Sequence, residues 1–162
     1  MRLGSAKLLS LKEIMLDFCS IYGNVYVLAA SFLLLLIASY FDMKYMIIPN
    51  KLNLTFLIVR LLLSFIIGIE LGNLYGLIAG FLLIFIPAMI KNKPMGGDIK
   101  LMAVLGFYLG VKNVFILLVG TVLFGFLYVI IRILIKKELK DFPFAPFILL
   151  SFVSMVAISA IM

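Results

Sequence analysis

The chain has 162 residues, 66% of them hydrophobic and 13% charged, with a net charge of +7. A soluble domain is roughly 45–50% apolar and about 25% charged, so this composition leaves too little polar surface to cover a water-soluble globule and specifies an integral membrane protein with one membrane domain. His is absent and Cys19 is the single cysteine, which excludes Ser-His and Cys-His nucleophile pairs, zinc sites built on His or several Cys, His-held haem and an internal disulfide. No metal or cofactor is expected, and the basic excess reads as a topology signal, with no nucleic acid among the expected partners.

In chain order, residues 1–24 come first. Leu11, Ile14, Met15, Phe18, Ile21 and Tyr22 recur at helical spacing with Lys12, Glu13, Asp17 and Ser20 between them, the pattern of an amphipathic helix that lies in the membrane interface. The charges also exclude a cleavable signal peptide. Residues 25–162 form the second unit, an all-α polytopic bundle of six transmembrane helices predicted at 25–41, 52–69, 74–90, 99–109, 114–135 and 144–162. The fourth is about half the ~20 residues needed to cross a core of about 30 Å, so it either sits in a thinned or wet region or dips in and returns.

Charge placement favours crossing. With six crossings, connections one, three and five hold Lys44, Lys51, Lys91, Lys93, Lys100, Arg132, Lys136, Lys137 and Lys140, while the other face holds Arg2, Lys7, Lys12 and Lys112. The richer face is cytoplasmic by the positive-inside rule, which places the protein in the cell membrane with that face inward.

Of the acids Glu13, Asp17, Asp42, Glu70, Asp98, Glu138 and Asp141, only Asp42 and Asp98 abut spans without being dispersed in a charged segment or turn. Two crossings separate them, so they share a face. Close carboxylates share one proton and serve as general base and general acid; the plainer alternative is that each caps a helix or pairs with a lysine. Asp98 follows Gly96-Gly97, whose freedom allows close backbone approach or positive φ, and Asp42 precedes a short connection ending in Ile48-Pro49-Asn50.

These residues carry a resemblance. Asp42 with Ile48-Pro49-Asn50, then Gly96-Gly97-Asp98-Ile99-Lys100-Leu101, the stretch from Met102 to Gly110, and Phe142-Pro143-Phe144-Ala145-Pro146-Phe147 stand in the order found in type IV prepilin peptidases of the GxGD aspartyl protease group, over roughly residues 25 to 160. The resemblance implies cytoplasmic-side removal of a short basic leader ending in Gly from prepilin-like or archaellin-like precursors. It makes Asp42 and Asp98 the catalytic dyad and Gly96 and Gly97 the loop that positions Asp98. The methyltransferase region of many bacterial relatives, with its paired cysteines, has no counterpart here, so the compact form is expected.

Lys100, Glu138 and Asp141 are candidates for tuning the acids or contacting the leader. Arg60 interrupts the second span, where a charge costs about 2.5–3.5 kcal/mol on insertion scales; it either snorkels to the cytoplasmic surface or lines a polar cavity near the acids. Gly76 and Gly80, four apart, fit a close helix contact, and Pro87 bends or ends its span. Two other functions compete. One is a small ion- or proton-coupled transporter that binds its cation at Asp42 and Asp98, which the lack of an internal repeat disfavours. The other is a presenilin-like protease, whose motif differs in having Tyr directly before the first Asp and Gly-x-Gly-Asp at the second. Expected partners are prepilin-like substrates and the lipid bilayer; the oligomeric state is not legible.

Overall fold

The computed structural model describes residues 25–68, 70–91, 96–135 and 143–161. The amphipathic segment expected over residues 1–24 lies outside them. Five helices follow one another: α1 (Val25–Tyr45), α2 (Asn50–Ile67), α3 (Leu71–Lys91), α4 (Gly96–Leu134) and α5 (Ala145–Ile161). The first four are long and apolar enough to cross a membrane, and α5 is apolar but shorter.

α4 comprises two helical arms that meet at Gly110, in keeping with the separate segments 99–109 and 114–135 expected from the sequence; the Gly110 φ of 79° and ψ of 171° are open to glycine and strained for any other residue. A straight helix would place Tyr128 about 45 Å from Asp98. Instead, the Tyr128 ring packs 5.3 Å from that of Phe147, beside Ala145, whose N–H is bonded to Asp42; Asp42 in turn lies within electrostatic reach of Asp98. The two arms therefore run in opposite directions. α3 does not end at Pro87 but continues through it to Lys91.

The first arm of α4 is the centre of the molecule, with every residue from Leu101 to Gly110 buried. That burial removes the difficulty of its length, because a helix surrounded by other helices need not match the lipid thickness. Its partner is α3, which runs antiparallel to it in a tight register. A side chain on Gly76 would strike the Gly106 carbonyl oxygen and come within 2.8 Å of the Gly110 Cα, and one on Gly80 would strike the Met102 carbonyl oxygen. Without a hydrophobic force between helices in lipid, such backbone contact is what dispersion rewards.

Around an apolar core, α2 turns its polar residues inward and its apolar ones outward. On α2 the buried face carries Asn53, Phe56, Arg60 and Ser64, while Leu54, Ile58, Leu62 and Phe65 are exposed. In water this would be the wrong way round. Where lipid is the solvent it is the expected arrangement, because apolar side chains lose nothing by facing acyl chains and polar ones must find partners within the protein. The surface is that of a membrane protein.

The glycine contact generates a test. Gly76→Ala should lower stability by about 1–3 kcal/mol, the usual cost of forcing extra volume into a packed site. Gly125→Ala, where nothing lies within 4 Å of an added Cβ, should be neutral or stabilising, since alanine is the better helix former by about 1 kcal/mol. Thermal unfolding of both variants in the same detergent reads the difference, and equal behaviour would contradict the register.

Candidate active site

Asp42 occupies the last turn of α1, on the inward stripe formed by Val27, Ser31, Leu35, Ala38 and Asp42 itself. It is 6% exposed. Its Oδ2 accepts a hydrogen bond of 2.8 Å from the Ala145 backbone N–H, one of the orphan donors at the start of α5. Asp42 thus caps a helix to which it does not belong, and by doing so docks α5 on α1. The family-like Pro143-Phe144-Ala145-Pro146 segment gains a physical role here, as the start of the helix that meets this carboxylate.

α1 ends one turn later. The Met46 N–H donates to the Asp42 carbonyl oxygen at 2.9 Å, and Met46 takes a left-handed φ of 52°, a conformation that costs a residue with a Cβ about 1–2 kcal/mol. The chain then passes through Ile47, Ile48 and Pro49, the last extended at φ −63° and ψ 131°, into α2.

This connection lies directly against the start of α4. A Cβ on Gly97 would sit 3.1 Å from the Ile48 Cβ and 3.2 Å from its carbonyl oxygen, closer than most side chains are found. Asn53 Nδ2 donates to the Gly97 carbonyl oxygen at 3.2 Å, and Lys100 Nζ donates to Asn50 Oδ1 at 2.9 Å. The two motifs read separately in the sequence are therefore one clasp. Gly96 and Gly97 form no loop; they belong to the first turn of α4, and neither adopts positive φ. Gly97 is needed for close approach, whereas nothing lies within 4 Å of a Cβ placed on Gly96.

Held by this clasp, Asp98 stands half-buried in the first turn of α4, within electrostatic reach of Asp42. The arrangement is two carboxylates at one end of the bundle, the first buried and capped, the second reached more easily from outside. Such a pair can hold one proton in common, and can activate a water while protonating a leaving group. Two buried polar atoms near it lack hydrogen-bond partners among the described residues, Ser39 Oγ and Asn53 Oδ1. Ser39 precedes Asp42 by one helical turn, on the same buried face.

The other candidates divide. Lys100 is bonded to Asn50, so its contact is with the clasp. Arg60 is buried but faces the opposite end, with Nε donating to the Phe107 carbonyl oxygen at 3.3 Å and a cavity beside Glu70 and Lys112; it is not brought to the acids. Glu138 and Asp141 lie outside the described residues. Asn53 was missed in the sequence reading. Its signal was available, a polar residue within an apolar span, one heptad before Arg60 and so on the same helical face.

A profile of the type IV leader peptidase family matches residues 29–130, which include both acids and the clasp. A prepilin leader peptidase/N-methyltransferase of Bacillus subtilis (strain 168) is 38% identical over 118 residues, covering 70% of this chain and 48% of the relative. The chain thus spans about half the length of that curated relative. No solved structure matches it. With the profile covering well over half of its residues, the chain belongs to the type IV leader peptidase family.

Proposed function

We propose that this protein is a membrane-embedded aspartyl endopeptidase that removes the short basic leader from type IV prepilin-like or archaellin-like precursors at the cytoplasmic face of the cell membrane. The observation that carries this reading is the clasp. Asn53 and Ile48 hold the Gly97 turn in place, and through it keep Asp98 within electrostatic reach of Asp42.

In the proposed reaction the dyad begins with one carboxyl protonated and one ionised. The ionised carboxylate removes a proton from a water as its oxygen attacks the scissile carbonyl carbon, and the protonated partner hydrogen-bonds the oxygen on which charge develops. Collapse of the tetrahedral intermediate breaks the C–N bond. The departing amine takes a proton from the dyad, and a final proton transfer restores the starting state. Each of the two arms of α4 is read as one crossing and α5 as the last, for six in all, with the acids on the cytoplasmic side where the Lys-rich connections lie.

Replacing Asp42 or Asp98 with Asn should lower cleavage of a precursor bearing a Lys/Arg leader, Gly and an apolar helix by at least about 10²-fold, the usual contribution of general acid–base catalysis. The Asp42→Asn protein should stay folded, because an amide oxygen can still accept from Ala145. Asp42→Ala should be inactive and also less stable by about 0.5–2 kcal/mol, the cost of losing a helix cap. The assay is run on purified protein in detergent, where no gradient exists. Substantial activity in either Asn variant would remove the dyad, and a detergent-purified protein that never cleaves would favour the transporter reading.

The clasp has its own signature. Lys100→Met should reduce cleavage, Lys100→Gln should retain more of it by keeping a donor for Asn50, and Lys100→Met combined with Asn50→Ala should cost no more than either alone, as a shared interaction requires. Fully additive losses would show that the two side chains act separately.

Orientation is tested with an impermeant thiol reagent on intact cells in a Cys19→Ser background. Cysteine at the exposed Met43 should be protected until the cytoplasmic face is opened, and cysteine at Lys112, exposed at the far end of the bundle, should react from outside. The reverse pattern would invert the topology.

A further inference from the structure

At the end of the bundle opposite the acids lies a cavity of about 360 Å³, lined among others by Arg60, Glu70, Asn73, Tyr108, Lys112 and Asn113. Nothing in the proposed chemistry uses it. Arg60 is its most unusual wall, an arginine only 3% exposed in a helix whose outer face meets lipid. Among the described residues its hydrogen-bond acceptors are the Phe107 carbonyl oxygen at 3.3 Å and Ser64 Oγ at 3.4 Å, and its Cζ lies 5.4 and 5.8 Å from the centroids of the Phe107 and Tyr108 rings. Tyr108 is itself fixed, donating its hydroxyl to the Phe56 carbonyl oxygen at 2.8 Å. A guanidinium has five N–H donors. The remaining ones have no protein acceptor among the described residues, and Arg60 borders the cavity. No carboxylate among the described residues forms an ion pair with it, although Glu70 lies within electrostatic reach.

A rigidly held, desolvated arginine with donors to spare is a device for a bidentate oxyanion, above all phosphate. Lys112 adds a second positive charge to the wall, and the uncharged amide of Asn73 adds hydrogen-bonding capacity. The same wall carries one acid, Glu70, at its exposed rim, which would repel a simple anion but suits a ligand bearing a cation next to its phosphate. The rim also indicates the source. Phe65 and Ile66, which lead into the lining residues Ile67 and Gly68, are 90% and 83% exposed, and Leu71, beside Gly72, is 70% exposed. These are lipid-facing side chains, so acyl chains lie against the mouth of the cavity.

We propose that this cavity binds the headgroup of an aminophospholipid, with the phosphate on Arg60 and Lys112 and the primary ammonium on Glu70. The site is separate from the acid pair and does not depend on the peptidase reading. It gives the buried Arg60 an anionic partner that no carboxylate among the described residues supplies through an ion pair.

The test is native mass spectrometry of the full chain purified in detergent and offered equimolar phosphatidylethanolamine, phosphatidylcholine, phosphatidylglycerol and diacylglycerol of one acyl composition. Phosphatidylethanolamine should be retained over the other three. Lys112→Gln should cut its retention about tenfold, the loss of one charge-assisted contact, and Glu70→Gln should erase the preference over phosphatidylglycerol while leaving phosphate-dependent retention. Arg60→Lys keeps the charge but loses the fork and should also weaken retention; should it fail to fold, the two rim variants still decide. Diacylglycerol held as well as phosphatidylethanolamine, retention indifferent to both rim variants, or displacement of the lipid by millimolar inorganic phosphate would each overturn the proposal, the last by assigning the site to free phosphate.

Discussion

The backbone contact between Gly76 on α3 and Gly106 on the first arm of α4 governs the rest of the structure. It fixes the central arm within the bundle, and that arm carries functional groups at both of its ends. Asp98 and the Gly97 carbonyl lie at its start; Phe107, Tyr108 and the Gly110 reversal lie at its finish. A shift of α3 by the thickness of one methyl group would move the carboxylate relative to Asp42 and the Phe107 carbonyl relative to Arg60 in the same motion. Both ends of the molecule thus depend on a contact that contains no side chain.

Lipid as solvent explains how the polar groups are arranged around this arm. Many of them bond back along their own helix, as Ser31 does to the Val27 carbonyl and Thr121 to that of Leu117, which satisfies the hydroxyl without tying elements together. Among the described residues the cross-helix bonds include Asp42 to the start of α5, Asn53 and Lys100 between α2 and the start of α4, Arg60 and Tyr108 between α2 and the end of the first arm, and Ser151 to the second arm of α4. In a medium with no water to compete, these bonds set the register of the bundle while dispersion holds it.

Costs concentrate at the acid end. The left-handed Met46 and Ser39 Oγ and Asn53 Oδ1, which lack partners among the described residues, all fall on or beside the elements that present Asp42 and Asp98. Each is unfavourable by itself, at about 1–3 kcal/mol for a buried polar atom without a partner. Strain of this kind persists only where neighbouring structure over-determines it, and it clusters at sites that act on ligands. At the opposite end the same logic applies to Arg60, a buried cation that borders a cavity lined by charge of both signs.

From the sequence alone, composition determined that the chain lives in a membrane, and periodicity and charge placed the apolar segments and put Asp42 and Asp98 on a common face. The Gly76 and Gly80 spacing named a helix contact, because small residues at that interval are what close packing in lipid demands. The sequence divided this apolar run into 99–109 and 114–135 but could not put the break at Gly110 itself, since that break is a matter of two backbone angles and an apolar run reads alike on either side of it. It could not rank Gly96 against Gly97, because only the approach of Ile48 from another part of the chain makes one of them necessary. Arg60 was legible as an anomaly, but the direction of its side chain was not: which end of a helix a long cation reaches depends on where a neighbouring helix leaves a carbonyl oxygen, and the carbonyl of Phe107 comes to it only through tertiary packing. Asn53 was passed over for the same reason, because a polar residue in a span acquires its role from the partner that folding brings to it.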